Sequence, residues 1–342
     1  MTHGAPGSGV APLASDPSPS VASPPGTSVA APPSPLGADP ARAVLFLVVT
    51  GALLGTSTNL AKVATGRGID PLAFLAWSIM GAAVLLGLLT LARGIRPPSN
   101  ARAIEYYAVA AFVTVAASNL IFFAAVPRVG ASFVALAIAF PPLLTYLGAL
   151  ALRMERVSAL RAAGVALALA GAALLAWLKL RAPNAATGWV LLTLVGPVLL
   201  AIGNLYRTLR WPPGASAESL APGMLAAAAL MLLLAGVLPG LTLRLPVEGA
   251  ALALVVVQAL VFAGQFLGLF ALQRAGGPVL LSLLGAVGAI VGVPVAIGLL
   301  GEAPPPGLVP ASILIAAGIA LVTWGGLRAA HPDRRTPTQR SG

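Results

Sequence analysis

Side chains that could carry acid–base or metal chemistry are kept out of the apolar parts of this sequence. The chain has no cysteine, and its two histidines, His3 and His331, lie in polar segments near its two ends. The acidic residues fall in tails, in loops or at the ends of apolar runs, and they are Asp16, Asp39, Asp70, Glu105, Glu155, Glu218, Glu248, Glu302 and Asp333. Catalysis and metal binding need such groups held together in one pocket. The sequence therefore predicts no enzyme, no metal site and no cofactor.

Four carboxamides interrupt the apolar runs at related positions. Asn59, Leu60 and Lys62 recur 145 residues later as Asn204, Leu205 and Arg207, and Asn119 recurs 146 residues later as Gln265. A carboxamide both donates and accepts hydrogen bonds, so in an apolar environment it must face other polar groups. Two interpretations stay open: the four side chains join helices by hydrogen bonds, or they line the path of a solute.

Lys62 and Arg207 occupy equivalent positions just after two of these carboxamides. One interpretation is that their long stems carry the charges to lipid headgroups. The other is that they act as electrostatic gates and attract an anionic group, such as a substrate carboxylate, because neither has an acidic partner on its own helix. Trp77, Tyr146 and Ser282 join the candidate path as side chains near its apolar middle.

The elements that must position these residues belong in a membrane. The sequence has a mean hydropathy of +0.95, with 58% hydrophobic and 8% charged residues, whereas soluble domains carry about 25% charged residues. The net charge of +11 comes from single basic residues at the ends of apolar runs. This is the pattern of topology signals and not of a nucleic-acid-binding patch.

Ten apolar runs are long enough for a bilayer core about 30 Å thick, which takes about 20 helical residues to cross. In the first half they are Ala43 to Val63, Pro71 to Ala92, Tyr106 to Ala125, Ala131 to Leu152 and Ala159 to Leu178. In the second half they are Gly188 to Tyr206, Leu220 to Leu238, Val247 to Leu272, Gly276 to Leu300 and Leu308 to Leu327. Five is odd, so recurring halves must face opposite ways. The expected fold is an all-α polytopic membrane protein of ten transmembrane helices in two inverted five-helix repeats.

Basic residues indicate the orientation of these spans. With both termini inside, fourteen of the twenty Lys and Arg residues fall on the inner side and six on the outer side. We therefore expect both termini in the cytoplasm. On this topology Asn59 and Asn119 lie in the outer half of the bilayer, and Asn204 and Gln265 lie in the inner half.

Composition divides the chain into four parts. Residues 1–40 are rich in Pro, Ala and Ser and are expected to form a disordered tail. The repeats are expected over residues 43–180 and 188–327, and a polar, basic tail over 329–342. Kinks are expected at the prolines of spans four, six and nine, which are Pro141, Pro142, Pro197 and Pro294.

The two five-helix units resemble the EamA-like permeases of the drug/metabolite transporter superfamily. The resemblance covers residues 43–327 and is carried by Val126, Arg128, Gly130, Pro141 and Glu155 and by the segment from Arg274 to Glu302. Gly301-Glu302 matches the usual "GE" ending of that segment, whereas the first half reads Met154-Glu155 and lacks the glycine. The resemblance implies export or exchange of small metabolites across the inner membrane of a bacterium.

The placement of the acids also bears on energy coupling. Proton-coupled carriers relay protons through a carboxylate or histidine inside the membrane. Because neither group lies in the interior of an apolar run, uniport, exchange, or titration of the solute itself fits the sequence better than a relay within the protein.

A carrier is the leading interpretation, and other classes are weighed against it. A channel would line at least one whole span with polar residues, which are too few here. A non-transporting membrane receptor or scaffold is the alternative, and it favours a long soluble loop or tail with its own fold. The expected partners are the lipid bilayer and a small solute, amphipathic or amino-acid-like because the path is apolar at its waist and polar at both ends.

Overall fold

All regular elements in the described part of the chain are helices. The computed structural model describes Met1 and residues 40–154, 157–181, 186–246 and 248–330, with side chains placed except at 40–43, 217, 273–283 and 326–330. The α-helices are α1 Pro40–Gly66, α2 Pro71–Ala92, α3 Ala101–Ala111, α4 Ser118–Val129, α5 Ala131–Ala137, α6 Pro141–Ala151, α7 Ala159–Leu180, α8 Thr187–Leu209, α9 Ala217–Ala235, α10 Gly249–Pro294 and α11 Leu308–Ala330. π-Helical segments follow α3 at Phe112–Ala117 and α10 at Val295–Leu299. Glu155, both histidines and nearly all of the two predicted tails lie outside the described residues.

Nine helical segments among the described residues are long and apolar enough to cross a membrane, and a tenth apolar helix, Leu284–Leu299, is shorter. The nine are Val44–Gly66, Pro71–Ala92, Ala101–Val129, Ala131–Ala151, Ala159–Leu180, Thr187–Leu209, Glu218–Ala235, Gly249–Leu272 and Leu308–Gly325. The predicted all-α fold with ten membrane helices is confirmed. We number these spans one to ten in chain order, so that Gly249–Leu272 is span eight and Leu284–Leu299 is span nine.

Local signals explain where several spans begin and break. Span three starts earlier than the expected Tyr106, because Asn100 caps the helix by accepting a hydrogen bond from Ala103 N at 2.9 Å. Span four is interrupted at residues 138–140, directly before Pro141, where a kink was expected since proline cannot donate the helical hydrogen bond. α8, in contrast, continues through Pro197.

The two parts of α10 contact α1 in opposite sequence orders. In span eight the contacts are Gln258 with Ser57, Gly264 with Leu53 and Gly268 with Thr50. In span nine they are Val287 with Gly51, Gly288 with Leu54 and Gly292 with Gly55. Span eight is therefore antiparallel to α1 and span nine is parallel to it. α10 is assigned as one continuous helix, but its two apolar segments run in opposite directions along α1, so they are counted as two spans.

Helix pairs in one half are repeated by their counterparts in the other half. α1 packs against spans eight and nine, and α8, its counterpart, packs against spans three and four. α2 packs against α9 and α7 against α11, so the second and fifth spans of each half meet their own counterparts. α7 and α11 are antiparallel, since Gly164 lies against Gly318 and Gly171 against Ala311. This is the pairing that two inverted repeats produce.

Glycines allow the backbones of spans one and nine to come into direct contact. A Cβ added to Gly55 would lie 2.4 Å from the carbonyl oxygen of Gly288 and 2.8 Å from the backbone nitrogen of Gly292. Lipid tails are as apolar as leucine, so helices in a membrane associate through such close van der Waals contact and through hydrogen bonds. The two spans therefore close tightly against each other along the length that flanks Gly55.

Candidate functional site

One carboxylate fastens the end of α1 to two other elements. Lys62 donates from Nζ to Oε2 of Glu302 at 2.8 Å. The same carboxylate accepts hydrogen bonds from the backbone nitrogens of Ala131 (2.9 Å) and Ser132 (3.0 Å), and from the Ser132 hydroxyl. We call these four residues the Glu302 latch. It joins spans one and four to the segment that follows span nine.

The latch depends on glycines at two turns. Gly130 separates α4 from α5 with a φ of +94°, and a Cβ at this position would lie 2.5 Å from Oε1 of Glu302. Gly301, with a φ of +61°, precedes Glu302 and turns the chain back toward α5. Both positions carry the family resemblance, one in each half of the sequence. The structure shows that they meet in space.

The surroundings of Glu302 favour its ionised form. Burial by itself raises the pKa of the Glu302 carboxyl, but the hydrogen bonds from Lys62 and Ser132 and the charge of Lys62 outweigh that effect. The pKa therefore lies below the ordinary value for glutamate. The latch holds a carboxylate and an ammonium, and it is electrically neutral as a pair.

An open pocket of about 360 Å³ lies beside the latch. Its walls come from the end of α1, from the turn between spans three and four and from Glu302, and its lining residues are Lys62, Thr65, Gly66, Val126, Pro127, Gly130 and Glu302. A second pocket, between the ends of α2 and α9, measures about 20 Å³, which is too small for a metabolite. Of the eight path and gate residues whose side chains the structure describes, only Lys62 lines either pocket.

Arg207 lies at the opposite end of the bundle from Lys62. Contacts along span three establish this, since its last turn meets the Lys62 pocket and its first turns meet the end of α8. Arg207 is 5% exposed, and its Nη2 donates to Oδ1 of Asn204 at 2.7 Å. Asn204 in turn donates from Nδ2 to Oγ1 of Thr145 at 3.4 Å. Within the described residues, no carboxylate forms an ion pair with Arg207.

The predicted carboxamides differ in their hydrogen-bond partners. Asn59 is buried and donates to the carbonyl oxygens of Gly55 (2.9 Å) and Gly292 (3.0 Å), which joins spans one and nine. Asn119 donates to Val115 O within its own span at 2.8 Å. Oε1 of Gln265 is buried and accepts no hydrogen bond from the described part of the chain. Asn59 thus joins two spans, and Asn119 has a local bond.

The remaining path candidates lie apart from one another. Trp77 is 39% exposed and donates from Nε1 to Leu243 O at 2.9 Å. Tyr146 is buried, its ring lies 5.2 Å from the Arg161 guanidinium, and its hydroxyl accepts from Ser158 N at 3.3 Å. The side chain of Ser282 lies outside the described set. The predicted path residues therefore do not converge on one of the two pockets.

Three features of the interior were missed by sequence reasoning. Gln258 donates to Oγ of Ser57 at 2.6 Å in a buried contact between spans eight and one. The hydroxyl of Tyr106 is buried and has no hydrogen-bond partner in the described structure. Glu302 pairs with Lys62 across 240 positions of sequence. The sequence does single out Gln258, because it is a polar residue inside an apolar run. No local pattern reveals that the Tyr106 hydroxyl is buried or that Glu302 is the partner of Lys62.

Comparison with known proteins supports the fold and the family resemblance. Residues 41–177 match the family model described as the EamA-like transporter family. No curated protein matches the chain. A solved structure described only as "Crystal structure of protein" is similar over 84% of this chain and 99% of its own, with 23% sequence identity and a TM-score of 0.59. That level of identity bears on the fold alone.

Proposed function

Because residues 41–177 of this chain match the model of the EamA-like transporter family, we propose that the protein is a secondary transporter that moves a small metabolite across the cytoplasmic membrane by alternating access. Alternating access requires that the two ends of the bundle open in turn. The proposal is supported by what holds each end together.

The end at Lys62 is closed by polar contacts that can be broken. Spans one and nine touch along Gly55, Asn59 bonds across the contact, and the Glu302 latch ties in span four. This closure by a reversible ion pair is the observation that carries the proposal. Its counterpart at the other end, between spans six and four, has the longer Asn204–Thr145 bond and no latch among the described residues. The two ends thus differ, as they do in a carrier closed on one side.

An amphipathic or amino-acid-like solute agrees with the interior. Three buried rings, Phe74, Phe123 and Phe262, stack with centroid separations of 5.9 and 6.0 Å across spans two, three and eight. The polar groups Asn59 and Arg207 lie toward the two ends. A solute with an apolar body and a polar end fits this distribution better than a sugar. The distribution of Lys and Arg supports a topology with both termini in the cytoplasm.

Counterflow in proteoliposomes tests the proposal. Purified protein would be reconstituted in vesicles loaded with phenylalanine, leucine, benzoate or glucose, and uptake of the same labelled solute would be followed. We expect exchange of at least one of the first three and none of glucose. Vesicles that exchange none of the four solutes would favour a receptor or scaffold.

Glu302→Gln connects that flux to the latch. The substitution keeps the shape of the side chain and removes the charge that holds Lys62, so we expect exchange to change at least about threefold, since a charged hydrogen bond contributes about 1.5–3 kcal/mol. Glu248→Gln is the matched control, because Glu248 is exposed before α10. Equal exchange by wild type and Glu302→Gln would separate the latch from transport.

A further inference from the structure

We propose that Arg207, Tyr106 and Asn204 form a binding site for the carboxylate of an organic anion. The inference rests on the proposed carrier function in one respect: the anion is a transported solute. The site lies between the first turns of span three and the last turns of span six, at the end of the bundle away from the Glu302 latch.

Arg207 is a cation enclosed by protein, and no described acid forms an ion pair with it. It is 5% exposed, its buried Nε has no hydrogen-bond partner among the residues that the structure describes, and its Nη2 bonds to the neutral Asn204. Arg210, one turn further on, behaves as expected for a headgroup contact, since its side chain is 61% exposed and lies 3.4 Å from Glu105. Snorkelling therefore describes Arg210 and does not describe Arg207.

A second unpartnered donor lies beside the guanidinium. Tyr106 is fully buried, and its hydroxyl has no hydrogen-bond partner in the described structure. Its ring stacks on Tyr206, the residue directly before Arg207, with a centroid separation of 6.1 Å. Buried polar groups are rarely left without partners, and such groups point to a ligand or to water. One carboxylate can accept from both of these donors.

The inverted repeats indicate which partner is missing. Lys62, the counterpart of Arg207, donates to a carboxylate that the protein itself supplies through Glu302. Arg207 has no such carboxylate among the described residues. A guanidinium also has the planar, forked geometry that suits a carboxylate. An external carboxylate at Arg207 would take the place that Glu302 occupies at Lys62.

The surroundings of the site specify the body of the anion. The Tyr106 ring stacks on Tyr206 with a centroid separation of 6.1 Å, and Trp211 meets its edge at 6.1 Å. These rings form apolar surroundings for the Arg207 end of span six. We therefore assign the site to a small aromatic or otherwise apolar monocarboxylate and not to a polyanion or a sugar.

Equilibrium binding of labelled benzoate to the full chain in phosphatidylcholine nanodiscs tests the site, with benzamide as the uncharged analogue of the same shape. We expect saturable benzoate binding and at least about tenfold weaker competition by benzamide, as for loss of a charge-assisted pair. Absence of benzoate binding, or equal affinity for benzamide, overturns the proposal without any variant. Both lipids carry a phosphate, but only phosphatidylglycerol has a net negative headgroup, so loss of benzoate binding when it replaces phosphatidylcholine assigns the site to an anionic lipid headgroup and also overturns the proposal.

Three variants locate the site. Arg207→Gln should weaken benzoate binding at least about tenfold, and Tyr106→Phe about twofold to fivefold, whereas Arg210→Gln should change it less than about twofold. If Arg207→Gln does not fold, Arg207→Lys and Tyr106→Phe still decide the matter, since Lys keeps the charge but not the fork. Unchanged affinity in folded Arg207→Gln, or in both Arg207→Lys and Tyr106→Phe, removes these residues from the site.

The binding site and the carrier function can fail separately. Benzoate binding without counterflow of any solute would support the site and reject the carrier. Counterflow of neutral solutes without benzoate binding would support the carrier and reject the site.

Discussion

The Glu302 carboxylate accepts hydrogen bonds from a side chain of span one and from the backbone and hydroxyl at the start of span four. Each donor needs an ionised acceptor for its full strength, because charge-assisted hydrogen bonds are about twice as strong as neutral ones. Gly130 allows the approach, since any Cβ there would meet the carboxylate. The latch is therefore an electrostatic device whose strength depends on one charge.

Lowering the pH should release the latch. The pKa of Glu302 is depressed below its ordinary value of 4.5, so the ionised carboxylate stabilises the folded state at neutral pH, and this stabilisation is lost as the pH falls through the folded pKa. At about pH 7 we expect wild type to exceed Glu302→Gln by about 2 kcal/mol in free energy of unfolding. Thermal unfolding from about pH 7 to about pH 3 should show the difference shrinking as the pH falls. Glu248→Gln should follow wild type throughout, and a difference that does not vary with pH would contradict this account.

At the scale of helices, the contact between spans one and nine is set by small residues. Gly51 and Gly55 of α1 lie against Val287, Gly288 and Gly292, and several of the distances allow no added methyl group. The neighbouring contact between spans one and eight has the same character, because a Cβ at Gly268 would collide with Thr50. Closure at this end is thus a matter of backbone approach, which polar bonds at Asn59 and Lys62 then fix.

Gly55→Ala should separate spans one and nine. A Cβ there would lie 2.4 Å from a backbone oxygen that cannot move alone, so we expect a loss of about 1–3 kcal/mol in free energy of unfolding, the usual cost of overpacking. Gly87→Ala in α2 is the matched control, because nothing lies within 4 Å of its Cβ. That change should be neutral or stabilising by up to about 1 kcal/mol. Denaturation of the two purified variants compares them directly, and equal stability would show that the close approach is not needed.

The positions of the helices can be predicted from the sequence better than the contacts between them. Burial of apolar side chains in lipid determines where each span lies, so the length of an apolar run predicts a span to within a few residues. Span three is longer than predicted because Asn100 caps an earlier start of the helix. Rotation about each helix axis has no such signal. Asn59 could be expected to face protein, but Gly292 as its partner depends on where span nine packs. For the same reason Tyr106 could not be placed beside Arg207, as the two lie on different spans.

At the scale of the whole molecule, the two halves are interleaved. α1 packs against spans of the second half, and α8 packs against spans of the first half. Contact directions along α1 give spans eight and nine opposite directions, and those between α7 and α11 do the same for spans five and ten. These relations agree with two inverted repeats, and the basic residues predict which side the termini face.

Single introduced cysteines can report which side of the membrane each loop faces, because the natural chain contains no cysteine. Gly66→Cys lies in an exposed position at the end of span one, with nothing within 4 Å of its Cβ, and Ser99→Cys lies in an exposed position before span three. With the termini inside, a membrane-impermeant maleimide added to intact cells stripped of their outer membrane should label Gly66→Cys and spare Ser99→Cys until the membrane is permeabilised. The opposite pattern would invert the predicted topology.

The pairing of Lys62 with Glu302 also sets an order of events during synthesis. The two residues are 240 positions apart, and ribosomes add about 5–20 residues per second, so Lys62 enters the bilayer about 12–48 seconds before its partner has been made. Throughout that interval the first five spans lack span nine, and Asn59 lacks the carbonyl of Gly292. A chain that stalls after its first half therefore leaves a charged and a polar side chain uncovered in lipid. Until span nine is inserted, nascent chains therefore expose polar groups of span one that the folded protein covers.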